Sequence, residues 1–127
     1  MCKSVLVPLI LLLAALLTAC GSPPTPVRMP IVSSALARGQ RVFEQHCGAC
    51  HSLSPDTTLV GPSLAGIAQR GATRIDGLDA RAYLYTSIMR PSNFLVAGFD
   101  NLMPSTLAKT LSGEEIDAVV AYLLAQE

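Results

Sequence analysis

The sequence predicts an all-α domain. Two stretches repeat apolar or small residues at helical spacing, and none shows the apolar/polar alternation of a strand. The first stretch carries Leu36, Gly39, Phe43 and Cys47. The second carries Ile116, Val119, Val120 and Leu123 at i, i+3, i+4 and i+7, the buried stripe of an amphipathic helix. Two terminal helices of this kind can pack on each other.

The helices follow in order. The first opens near Ser33 or Ser34, either of which can cap it, and places Phe43 and Cys47 on related faces. Residues 52–77 are rich in Gly, Pro, Ser and Thr, hold no period, and read as mostly loop. A second helix runs from the N-cap Asp79 to about Met89, with Leu84 and Ile88 one turn apart, and Pro91 stops it. The last helix opens on the capping box Ser112-Gly113-Glu114-Glu115. Glu114, Glu115 and Asp117 sit in its first turn, where the helix dipole favours negative charge.

Ahead of these helices lies an address. Residues 5–17 are apolar and follow Lys3, the pattern of an export signal. Leu17-Thr18-Ala19-Cys20 resembles a bacterial lipobox, so residues 1–19 read as a lipoprotein signal peptide and Cys20 as the lipidated residue. The alternative is an uncleaved membrane anchor from Ser4 to Cys20, interrupted by Pro8. Either places the domain outside the cytoplasm, on the outer face of the cytoplasmic membrane or in the periplasm. Residues 20–32, with Pro23, Pro24, Pro26 and Pro30, form a semi-rigid linker. Residues 33–127 form the folded domain.

The whole chain of 127 residues suits one small domain, expected as a monomer. It is 50% hydrophobic but only 5% aromatic, with no Trp. So small a domain buries a limited core, and a large flat cofactor would supply the missing apolar volume. Net charge is zero. There is no basic excess to hold nucleic acid and no single-sign field to steer a charged partner from afar.

Cys47-Gly48-Ala49-Cys50-His51 is a C-x-x-C-H segment, the pattern of covalent haem c attachment. Two thiols three residues apart can each add to a vinyl group at the porphyrin edge. The next residue then brings its imidazole to the iron. Gly48 and Ala49 are small enough to let the ring approach. A thioredoxin-like dithiol would want a βαβ setting, a zinc site would want more ligands than His46 can add, and a disulfide would leave His51 without a role.

With the motif in place, the chain from about Leu36 to Ala125 resembles the class I cytochromes c. In particular it is similar to the cytochrome c domain fused to subunit II of some bacterial haem-copper oxidases. The residues that carry the likeness are Gly39 and Phe43, the C-x-x-C-H segment, Gly61-Pro62-Ser63-Leu64, Tyr83 to Ile88 with Pro91, Gly98-Phe99, Met103-Pro104 and the helix from Leu111 to Leu123. The chain departs from that fused subunit in showing no copper-binding stretch and in carrying its own anchor sequence.

The resemblance implies three to five helices wrapped around one haem, with the terminal helices packed together. It implies His51 and Met103 as iron ligands, since such proteins take the sixth ligand from a late Met-Pro loop. Met89, on a helix, is the rival and would ordinarily pack in the core. The resemblance also assigns the Pro62 carbonyl to the imidazole of His51, and Phe43 and Leu64 to the haem walls. Tyr83, Tyr85 and Arg90 are candidates for the propionates or for plain core and surface. The implied function is single-electron transfer rather than catalysis, between a quinol-oxidising complex as donor and a terminal oxidase as acceptor. A haem enzyme or gas sensor with an open distal site is the other reading; the sequence offers no distal His for it, and Met103 argues against it.

Overall fold

The computed structural model describes residues 31–126, with the side chain of Ile31 left aside. The signal peptide, Cys20 and nearly all of the linker lie outside the described residues. Among the described residues there are five α-helices and one short 3-10 turn: α1 (Ile31–His46), α2 (Ile67–Gly71), α3 (Ala80–Met89), the turn Pro91–Asn93, α4 (Leu107–Thr110) and α5 (Gly113–Leu124). No strand occurs among the described residues. None of these helices is long and apolar enough to cross a membrane.

The most extensive helix contact joins α1 to α5. Gly39 makes it possible. A Cβ at residue 39 would lie 2.6 Å from the Cβ of Tyr122 and would run into the backbone carbonyl of Ala118. Val119 and Val120 are fully buried there, beside Val42, Phe43 and Leu123. The Phe43 and Tyr122 rings meet at 5.9 Å between centroids, tilted by 46°. On the rim, Arg38 pairs with Glu114 at 2.7 Å and Arg81 with Asp117 at 3.4 Å. Both pairs are exposed, so each adds at most about 1 kcal/mol.

The predicted caps divide in two. Asp79 caps α3 by accepting from the Ala82 N–H, and Ser112 and Glu115 form the reciprocal capping box of α5. Ser33 and Ser34 do not cap α1: the helix already includes Ile31 and Val32, so both serines lie inside it, and so does the linker boundary drawn at residue 32. The stretch 52–77 also contains α2, a single turn held by the buried Ile67 and by Gly71 under Tyr83. In the same way α4 separates Met103 from α5. A helix of four or five residues is too short to show a period.

Candidate haem site

α1 does not stop cleanly at His46. Its last turn continues through the motif: the Cys47 and Gly48 N–H groups donate to the Phe43 carbonyl at 2.8 Å, and those of Cys50 and His51 donate to the Cys47 carbonyl at 3.0 and 2.9 Å. This compact turn brings Cys47, Cys50 and His51 to one edge of a cleft. A Cβ at residue 48 would make only ordinary contacts of 3.5–3.7 Å with Phe43 and Glu44, so the turn itself does not demand Gly48.

The chain then folds back on His51. The Gly61 N–H donates to the Cys50 carbonyl at 2.8 Å, which lays the Gly61 backbone against the imidazole. A Cβ at residue 61 would stand 2.5 Å from His51 Cε1 and 2.9 Å from its Nδ1. The next residue supplies a partner: His51 Nδ1 lies 2.8 Å from the Pro62 carbonyl oxygen. A carbonyl can only accept, so Nδ1 carries the proton and Nε2 keeps a lone pair for a metal. The loop is braced by Ser63, whose hydroxyl donates to the Ser54 carbonyl at 2.7 Å, and by Arg70, which donates to the Ser63 carbonyl at 2.7 Å.

The cleft is predominantly apolar. Leu64 lines it near His51; Tyr83, Leu84 and Ile88 line it from α3; Phe94, Phe99, Met103 and Leu107 line it from the later loops and α4. His51 and Met103 therefore open on the same space. Met89 does not line it and packs half-buried against the core. Phe43 is also absent from the lining. It faces Tyr122 and backs the motif turn, so it supports the cleft from behind rather than walling it. Tyr85 and Arg90 are exposed and lie outside the lining, whereas Tyr83 is buried and edges Phe94 at 5.9 Å. His46 is exposed at the cleft's edge.

Two features of the thiols bear on the chemistry. Cys47 and Cys50 are half-buried and form no disulfide. Burial, and secondarily the neighbouring Cys50, pushes the Cys47 thiol up to about 11. At neutral pH it is not the ready thiolate of a redox dithiol. Nor do three or more His, Cys, Asp or Glu side chains come together as a metal cluster among the described residues. A planar macrocycle fits instead. It needs an apolar slot, two thiols at its edge and an oriented imidazole, and the cleft offers all three.

That combination of helical fold, apolar slot and C-x-x-C-H edge defines a protein that holds a haem covalently. The chain belongs to the cytochrome c family, whose pattern matches residues 36–127. It is a class I monohaem cytochrome c, an electron carrier with a covalently bound haem c. A sequence search of curated proteins returned no match.

Some lining residues carry no signal in the sequence. Phe94, Leu95 and Val96 fall in an irregular segment without period, and only the fold turns them toward the cleft. The contact of Gly61 with the imidazole is equally invisible, although the Gly-Pro pair marks the turn that creates it.

Proposed function

We propose that His51 and Met103 are the two axial ligands of the haem iron and that the protein is a carrier of single electrons with no open coordination site. The observation that carries this reading is that both side chains line one apolar cleft while Met89 does not. When bound, the haem supplies reversible one-electron iron chemistry. The chain's own residues tune and protect it. The Pro62 carbonyl fixes the imidazole and raises its basicity through the Nδ1 proton. The soft thioether of Met103 favours ferrous iron. Leu64, Leu84, Ile88 and Phe99 exclude water from the slot. With both positions filled, gain or loss of an electron requires little rearrangement.

Met103→Ala tests the assignment. The variant's optical spectrum should turn high-spin and its potential should fall, whereas Met89→Leu should change neither. A Met103→Ala protein that stays low-spin at unchanged potential overturns it.

The surroundings of the carrier follow from the first thirty residues of the sequence. We infer a lipoprotein held by Cys20 on the outer face of the cytoplasmic membrane or in the periplasm. It would work between a quinol-oxidising complex and a terminal oxidase, as its likeness to the oxidase subunit II domain suggests. A tether raises the effective concentration of the carrier near such partners. Cys20→Ser should move the cytochrome from the membrane to the soluble fraction. Continued retention on the membrane would point to an uncleaved anchor instead.

A further inference from the structure

Haem c carries two propionate carboxylates on the ring edge opposite its thioether bonds. Cys47 and Cys50 hold the thioether edge, so both negative charges enter the cleft away from the motif. A buried charge needs a donor or a counter-charge. Among the described residues the lining holds no Lys or Arg, and its carboxylic side chain, Asp100, cannot donate once ionised. His46 adjoins Cys47 and so belongs to the thioether edge. Ser87 lines the cleft, but its hydroxyl already donates to the Tyr83 carbonyl at 2.9 Å. The side-chain donor that remains in the lining is the hydroxyl of Tyr83.

Tyr83 lines the cleft and is nevertheless only 6% exposed. Its hydroxyl has no hydrogen-bond partner among the described residues, and it is not sealed off from open space. Packing alone would be served by Phe, which has no polar group to leave unsatisfied. The ring is held from several sides. Phe94 meets it edge-on at 5.9 Å, and a Cβ at residue 71 would stand 3.0 Å from its Cδ1, so Gly71 gives the ring its room. The Arg74 guanidinium lies 5.9 Å from the ring centroid, within cation–π range. Arg74 is half-buried and has no acidic partner among the described residues. A hydroxyl without an acceptor and a cation without an anion thus share one wall of the cleft.

We propose that the Tyr83 hydroxyl donates a hydrogen bond to a haem propionate and that Arg74, seated on the Tyr83 ring, supplies the positive charge behind that bond. The inference rests on the covalent haem and holds whichever ligand takes the sixth position. Its consequence is electrochemical. A propionate charge near the iron favours the ferric state. A donor on the carboxylate and a cation behind it draw that charge away and so favour the ferrous state. Tyr83 meets the cofactor itself, whereas Arg74 stands outside the lining and acts through the ring as a positioning residue.

Tyr83→Phe keeps the ring and its contacts and removes only the oxygen. In voltammetry of the haem-loaded protein, the ferric-to-ferrous ratio at a fixed electrode potential should rise about threefold. Arg74→Gln should move it the same way by about twofold, and Arg74→Lys should recover most of that loss. Tyr85→Phe lies on the same helix, exposed and outside the lining, and should change nothing. The second readout is the redox-induced infrared difference spectrum of protein whose haem carries isotope-labelled propionate carboxyls. The labelled band should shift in Tyr83→Phe and in Arg74→Gln and stay in place in Tyr85→Phe. An unmoved band in Tyr83→Phe overturns the proposal whatever the potential does, because the ring then acts by packing alone. An equal change in Tyr85→Phe overturns it as well. A band and a potential that move in Tyr83→Phe but not in Arg74→Gln overturn the part given to Arg74. Should Tyr83→Phe fail to fold, Arg74→Gln carries both readouts, and an unmoved band there refutes the proposal.

Discussion

The α1–α5 crossing and the haem cleft are built from opposite materials. At the crossing, protein packs on protein: Val119 and Val120 have no exposure, and Gly39 lets two backbones meet. At the cleft, irregular loops surround a slot, and Val60, Leu95 and Leu102 line it from three separate loops. The crossing holds the domain together through side-chain volume. The cleft is held by a few backbone hydrogen bonds around His51 and by the cofactor it receives. Substitutions at the crossing should therefore register as lost stability, and substitutions at the cleft as altered haem properties.

The largest stability effect is expected at Gly39. In Gly39→Ala the new methyl meets the Ala118 backbone, which cannot move aside as a flexible side chain could. The helices must part, at a cost of about 3 kcal/mol or more. Thermal unfolding of the haem-loaded protein should fall by roughly 12 °C or more, with little change in the spectrum of whatever remains folded. A loss of only a degree or two would mean that the crossing tolerates separation.

Gly61→Ala should do the reverse. Its methyl presses on the His51 ring, which can tilt, so about 1–3 kcal/mol is lost. Tilting also stretches the bond from Nδ1 to the Pro62 carbonyl, so the reduction potential should move while α1 and α5 stay docked. Voltammetry with the spectrum checks this, and an unchanged potential would show that Gly61 merely fills space.

The smallest effect belongs to the cap of α5. Ser112→Ala removes a side-chain acceptor from the Glu115 N–H and costs about 1 kcal/mol. The cap also carries a pH signature. Hydrogen bonds from the Ser112 backbone and hydroxyl hold the Glu115 carboxyl below its usual range. Its contribution is thus present above the ordinary carboxylate pKa and is lost as pH falls through the lowered folded value. Acid titration of stability should show a slightly weaker dependence in Ser112→Ala than in the unaltered protein.

The same contrast explains what the sequence makes legible. The crossing is readable because burial imposes a period: Ile116, Val119, Val120 and Leu123 announce α5, and Ser112 and Glu115 announce its start. Asp79 and Pro91 bracket α3 by equally local chemistry. The C-x-x-C-H segment is readable because its spacing is dictated by the porphyrin edge. What escapes depends on distant contacts. The Gly39–Ala118 approach, the Gly61–His51 contact, and the turning of Phe94 and Leu95 into the cleft leave no local trace. Phe43 shows the limit of a periodic argument. It shares a helix face with Cys47, yet the crossing with α5 claims its ring, so it backs the motif instead of lining the slot.

Carbon monoxide tests the two-sided closure of the iron most directly. Added to the reduced, haem-loaded protein, it should leave the spectrum unchanged if His51 and Met103 hold the iron as proposed; in Met103→Ala it should bind at once. Ready binding by the unaltered protein would contradict the proposed ligation and assign the cleft to a haem enzyme or gas sensor with an open distal face.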